Sequence, residues 1–261
     1  MRRPSHLRRS ALLIVVCLSA LAVLVAPAQA NDFECNGTVV GPGPTATFDN
    51  VVVPPGGVCT MQFVTIRGSV KALENSRLNI SDSTIHGNIQ GEKSDSVELV
   101  NNEIRGSVQI KEGGPADGLR FEAAVCGNLF PLGPVGSAHV RENIQIEKMT
   151  STRGIIVGGS GVTVGGVVPR LCRGNEIRKG NIEVKENHVT ASVGVSVREN
   201  LIGTMGDGGN LQVFKNTGTG QKDVNFNTVS KGTIQCYDNQ LPFNGTLNTG
   251  KKDPPPNQCL P

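Results

Sequence analysis

Arg67, His86 and Arg105 hold the third place in three near-copies of one short motif: "TIRGSV" at 65–70, "TIHGNI" at 84–89 and "EIRGSV" at 103–108. The step from Ile66 to Ile85 is repeated from Ile85 to Ile104. Arg141 and Arg198 follow an apolar residue in the same way, in "VRENI" and "VRENL". Cations repeated at a fixed interval on one side of a structure would form a basic stripe, suited to an anionic polymer or a cell-surface glycan. Glu103, Glu142 and Glu199 sit close to three of these cations. The plainer expectation is therefore a solvated edge on which the acids neutralise much of the charge.

Other reactive patterns are weaker. Glycoside hydrolysis needs two carboxylates about 5–10 Å apart, and Asp82 has only Asn101 at the matching place one repeat later. Glu142, Glu186 and Glu199 each precede an Asn and read as outward residues at bends. With no Trp and one Tyr, Tyr237, sugar-stacking platforms are scarce, and the eight Phe are expected in the core or under loops. Gly158-Gly159-Ser160-Gly161 is followed by Val162, so it misses the nucleophile elbow. His86, His139 and His188 lie far apart, and Asp207-Gly208-Gly209-Asn210 reads as a glycine-rich bend. No catalytic residue, cofactor site or metal site is expected.

The elements that must carry the stripe are short strands. Ile-x-Gly-x-Val alternates with a period of two, so Ile66 and Val70 face one way and Arg67 and Ser69 the other. Val- and Ile-rich runs broken by Gly, Asn, Ser and Asp describe β-structure with frequent turns. A period of about 20 residues describes a solenoid. One such step allows three short strands and three bends, which make one coil, and it does not divide into apolar hexads. The expected fold is all-β, a right-handed parallel β-helix with coils of about 19–23 residues, a repeat length typical of solenoids.

Further matches extend it. Leu78-Asn79-Ile80 falls on Val97-Glu98-Leu99, and Asp82-Ser83 on Asn101-Asn102. Val140 to Ile144 and Val197 to Leu201 read as copies three steps apart. Ile144 to Ile146 and Ile182 to Val184 read as copies two steps apart. "GNLQV" at 209–213 returns as "GTIQC" at 232–236, after a slightly longer step. Asn187, Asn200, Asn216, Asn227 and Asn239 each follow a strand, as stacked amide ladders would require.

Residues 1–30 read as a cleaved signal peptide: Arg2, Arg3, Arg8 and Arg9, an apolar run over 11–26, then Ala28-Gln29-Ala30. Residues 31–60 are expected as an N-terminal cap and first coil. The repeats should occupy 61–240, with an insertion near 112–136 and a weakly specified coil over 153–166. Residues 241–261 should form a C-terminal cap. The net charge of +3 belongs to the leader: without its four arginines, 21 basic residues face 22 acidic ones, net −1. That balance disfavours nucleic acid as a partner. No later stretch is apolar enough to span a membrane, so a soluble mature chain is expected.

Six cysteines remain, which in an exported chain reads as disulfides, with 15 possible connectivities. Pairing neighbours gives Cys35–Cys59, Cys126–Cys172 and Cys236–Cys259. "NVVVPPGGVCT" at 50–60, the I-x-G-[SN]-[VI] repeats and "GNLQV…GTIQC…DNQ" resemble a group of uncharacterised secreted bacterial β-helical repeat proteins. The resemblance spans nearly all of the mature chain. It implies fold and secretion, and brings no activity and no catalytic residues. The expected function is a secreted, non-enzymatic structural or surface-interaction role. The alternative is a polysaccharide-active lyase or hydrolase with its acids on an inserted loop. Oligomeric state is left open.

Overall fold

The computed structural model describes residues 32–41, 46–113, 122–126, 139–151, 154–158, 163–164, 170–171, 174–190, 194–204, 208–252 and 257–259. The signal-peptide segment lies outside these residues, as do Asp207 and Cys172, and with Cys172 the expected Cys126–Cys172 pairing. The described elements are all strands. They stack in parallel, except that Thr163–Val164 runs antiparallel to Arg170–Leu171.

One coil shows the plan. Val64–Ile66 forms face one, a bend at 67–69 leads to Val70–Ala72 on face two, and Arg77–Ser81 forms face three. A second bend returns the chain to face one at Thr84–Ile85. Faces one and two belong to a single 17-stranded sheet, and face three builds a nine-stranded sheet. Ile66 pairs with Ile85 and Ile85 with Ile104. Leu78 pairs with Val97 and Ile80 with Leu99. Each return of the sequence motif is one turn of a parallel β-solenoid.

Later coils are longer than the repeat suggests. Ile104 pairs directly with Val140, and Val140 with Ile177. Ile144 pairs directly with Ile182, so the spacing expected as two coils is one. Within 112–136, Glu122–Cys126 returns to face three opposite Ser96–Val100. Within 153–166, Gly154–Gly158 continues that face, and Thr163–Val164 pairs with Arg170–Leu171 in a separate two-stranded sheet. "GNLQV" and "GTIQC" do fall in register, Leu211 opposite Ile234.

Inward residues form unbroken columns. On face one these are Ile66, Ile85, Ile104, Val140, Ile177, Ile202 and Val229, all buried. Each such side chain contributes roughly 1.5–3 kcal/mol by leaving water, and only a neighbouring coil can cover it. Lys222 breaks the pattern by occupying an inward place between Val195 and Phe243. Its buried ammonium donates to the carbonyls of Gly218 and Gly220, each at 2.8 Å, and burial pushes its pKa below the ordinary 10.5.

Asparagines close two corners. Glu199, Phe226 and Leu247 have positive φ, as do Glu186, Lys215 and Asp238, and an Asn follows each. The left-handed residue turns the chain sharply, and the next side-chain amide supplies the bonds the bent backbone cannot. Asn227 shows the pattern: its Nδ2 donates to Val197 O (2.8 Å) and Asn248 Oδ1 (3.0 Å), while its Oδ1 accepts from Asn200 N (3.1 Å) and Asn200 Nδ2 (2.9 Å). The asparagines separate into two ladders. One runs Asn175, Asn200, Asn227, Asn248. The other runs Asn187, Asn216, Asn239 and ends on Gln258.

Disulfides secure the terminal coils. Cys35–Cys59 and Cys236–Cys259 span Cα distances of 5.4 and 5.3 Å, and all four cysteines are buried. They tie 32–40 and 257–259 to the adjacent coils. None of the described residues forms a helix long and apolar enough to cross a membrane.

Asn227→Ala should lower unfolding free energy by roughly 2–4 kcal/mol in a urea melt, since several buried groups lose partners worth about 1–3 kcal/mol each. Asn79→Ala should cost within about 0.5 kcal/mol, because that half-buried amide serves only an outward bond to Glu98. Equal effects would mean that the ladder carries no special share of stability.

Candidate functional site

Four of the five expected stripe residues are brought together. Arg67, His86, Arg105 and Arg141 lie on successive coils at the bend from face one to face two, and all four are exposed. The backbone fixes each in turn. Arg67 N donates to Phe48 O, His86 N to Ile66 O, Arg105 N to Ile85 O and Arg141 N to Ile104 O, at 2.8–2.9 Å. Neighbouring coils are about 4.8 Å apart, so the cations form a ridge along the solenoid axis.

Arg198 is not on the ridge. It lies on face three, opposite Gly158 and Asn225, with its guanidinium 5.5 Å from the ring centre of Phe226. The match of Val140 to Val197 is misleading because two different corners use the same residue types. In "VRENI" Asn143 belongs to the ridge bend, whereas in "VRENL" Asn200 belongs to the ladder between faces three and one.

The residue that sequence reasoning missed is Arg178. Ile177 pairs with Val140, and Arg178 N donates to Val140 O at 3.2 Å, which places it next on the ridge. A signal was present: "NEIR" at 102–105 returns at 175–178. The separation is no multiple of the early step, and long coils hid the match.

A third ladder of side chains underlies the ridge. Ser69 N donates to Asn50 Oδ1, Asn88 N to Ser69 Oγ, Ser107 N to Asn88 Oδ1, and Asn143 N to Ser107 Oγ. Asn181 N then donates to Asn143 Oδ1 and Asn210 N to Asn181 Oδ1. On the short coils the glycine beside the ridge residue is required by space: a Cβ on Gly87 would meet Gly68 O, and one on Gly106 would meet Gly87 O, whereas Glu142 and Lys179 hold that place on the longer coils. The ridge stands on a rigid edge.

Its charge is only partly offset. Glu103 pairs with Arg105 at 3.2 Å and Glu176 with Arg178 at 3.7 Å. Glu142 instead accepts from Ser107 Oγ at 3.0 Å. Among the described residues Arg67, His86 and Arg141 have no ion-pair partner. Like unit charges about 5 Å apart in water repel by roughly 0.8 kcal/mol. Arg105, Arg141 and Arg178 lie on consecutive coils, and there the ridge accepts that cost, offset in part by Glu103 and Glu176.

Face two resolves the same problem the other way. Its outer column reads Glu92, Lys111, Glu147, Lys185, Phe214, Tyr237 in register. Signs alternate, so each charge meets its opposite. Glu147 bonds Lys111 at 3.0 Å and Lys185 at 3.1 Å, and Lys185 also bonds Glu183 at 2.7 Å. Burial alone would raise the Glu147 pKa, but the two ammonium groups outweigh it and hold the carboxyl below 4.5. A glycosidase proton donor needs the reverse shift. Phe214 and Tyr237 lie outside the core after all, but they stack on each other at 4.8 Å and 10°. One face of each ring is taken up by the other, and Lys185 Nζ lies 5.8 Å from the centre of Phe214.

The histidines are dispersed. His86 is on the ridge, His139 pairs in register on face one, and His188 lies at the corner after face two, its Nδ1 3.1 Å from Thr217 Oγ1. Among the described residues there is no group of three or more His, Cys, Asp or Glu placed to hold a metal ion. Comparison with protein-family models, curated proteins and solved structures finds no match to this chain.

Glu147→Gln should destabilise the protein by roughly 1–3 kcal/mol near neutral pH. The folded-state pKa is lowered, so the carboxylate's contribution is complete above the unfolded value near 4.5 and is lost as pH falls through the folded value. Melting curves of the two proteins should therefore converge in acid; a gap that persists there would show that the ion ladder is not its source.

Proposed function

We propose that this is a secreted, non-enzymatic β-helix protein of the kind its repeats resemble, which binds an anionic polymer or cell-surface glycan along the basic ridge. The observation that carries the reading is the unalternated column of Arg67, His86, Arg105, Arg141 and Arg178. Where charge serves only the fold, as in Glu92, Lys111, Glu147 and Lys185, the same solenoid alternates its signs.

Bend length supports this. Three residues separate Ile66 from Val70, Ile85 from Ile89, Ile104 from Val108 and Val140 from Ile144. The coils between them lengthen from 19 to 36 residues, and the extra residues fall in the sequence between Lys111 and Glu122 and between Cys126 and His139, away from the ridge bend. The ridge bend lengthens by one residue after Arg178. It opens widely only between Ile202 and Leu211, where Gly203 takes the cation's place. Insertions are thus kept off the edge that a long ligand would need clear. The disulfides fit an oxidising compartment, in keeping with export through residues 1–30.

The test is retention of exported, purified protein on anionic cell-wall polymer, with release of reducing or unsaturated ends followed in the same tubes. Arg67→Ser, Arg105→Ser and Arg141→Ser together should weaken retention about tenfold, three exposed contacts at about 0.5 kcal/mol each. Added salt should weaken it as well. Unchanged retention would remove the ridge as the binding surface. Product that accumulates with time would replace the binding reading with the enzymatic one.

A further inference from the structure

The ridge does not stand alone on its coils. Four residues after each cation, at an outward place on face two, comes a second polar side chain. Lys71 follows Arg67, Gln90 follows His86, Gln109 follows Arg105 and Gln145 follows Arg141. These four lie in register on successive coils. The offset survives the change in coil length from 19 to 36 residues because the bend between the two positions is constant. At Arg178, where Gly180 adds one residue to the bend, the corresponding place holds Glu183.

The amides beside the ridge differ from those beyond it. Gln212 and Gln235, on coils past the last cation, bond to each other. Gln90 and Gln109 have no side-chain hydrogen bond among the described residues, and Gln145 uses one N–H on Glu147 Oε2 at 3.2 Å. Amides with open bonding capacity thus accompany His86, Arg105 and, in part, Arg141, whereas Gln212 and Gln235 beyond the ridge bond each other.

We propose, resting on the ridge reading, that cations and amides are the two sides of one site for a linear acidic polysaccharide lying along the solenoid axis. The chemistry divides between the rows. A guanidinium takes an acid group in a bidentate fork. An amide offers both donors and an acceptor, and so matches sugar hydroxyls, which also do both. A polyphosphate supplies acceptors alone and leaves the amide carbonyls without a partner. Four residues of chain span at most about 14 Å, so both rows border a strip that one polymer chain can cover. Asp49 precedes the ridge and Gly203 follows it. Three coils at about 4.8 Å each carry both a ridge residue and an amide, flanked by Lys71 before and Glu183 after, which sets the two-row contact at roughly 10–15 Å.

The experiment compares Gln90→Ala with Gln109→Ala, combined in one protein, against Arg67→Ser with Arg141→Ser. Gln145 is left in place because it supports Glu147. Both variants are checked for unchanged melting, then titrated at fixed salt with a polyuronate, a sulfated glycan and inorganic polyphosphate. The amide variant should lose about five- to tenfold on the polyuronate, the sulfated glycan or both, and clearly less on polyphosphate, which can take the amide N–H donors but not the carbonyls. Equal loss on all three, or loss on none, overturns the two-row site while leaving the ridge standing if the arginine variant still weakens binding. An arginine variant that binds all three like the parent removes the ridge reading itself.

Discussion

The stacked faces of this molecule answer to one constraint: each coil lies about 4.8 Å from the next, so each strand residue on them is stacked on its own counterpart. A column of Ile and Val satisfies that rule by packing like against like, and a column of Asn satisfies it because an amide is both donor and acceptor. Charge cannot stack on itself without cost. Face two meets the rule by alternation, Lys111 to Glu147 to Lys185. The ridge does not meet it, and this is why its cations attract attention when equally exposed lysines elsewhere do not.

The same constraint governs where the chain can vary. Strand positions must match their neighbours in number and phase, because a one-residue slip turns every inward side chain outward. Corners carry no such requirement provided the next strand starts in register. The solenoid accordingly holds its strands to a common register from Ile66 to Val229 and lets its corners grow. Even the disulfides obey this: Cys59 and Cys236 occupy inward places on end coils, where the core column has lost its next neighbour.

What the sequence reveals follows from this division. Short coils with tight corners leave an unaltered period, so fold class and strand register over 64–111 are legible from residues alone. The cysteines left 15 connectivities open, and the structure forms two of the three neighbour pairs among its described residues. Once corners lengthen, spacing in sequence stops measuring height in the stack. Ile144 to Ile182 is one step, not two. Arg198 misleads for a second reason: both corners end a strand with a charged pair and an Asn, and one-dimensional pattern cannot tell a ridge from a ladder. Arg178 was recoverable from "NEIR", which keeps the local chemistry of Glu103 to Arg105 intact. Lys222 gave no such signal, since its role depends on the carbonyls of Gly218 and Gly220 reaching the interior.

Rigidity gives the ridge its physical character. An exposed arginine on a mobile loop loses side-chain and backbone freedom on binding, whereas here the backbone is already fixed by the parallel ladder and by the Asn and Ser chain beneath it. Only side-chain rotamers remain to be ordered, at about 0.5–1.5 kcal/mol each. A single contact of about 0.5 kcal/mol scarcely offsets that. A repeating polymer changes the balance, because once one unit is held the next is already near its own cation, at an effective concentration set by the polymer's stiffness. The repulsion between stacked cations works in the same direction: it is present in the free protein and is relieved when acid groups settle between them. A column that is mildly unfavourable alone therefore becomes favourable through its length, and the ridge is suited to a ligand as repetitive as itself.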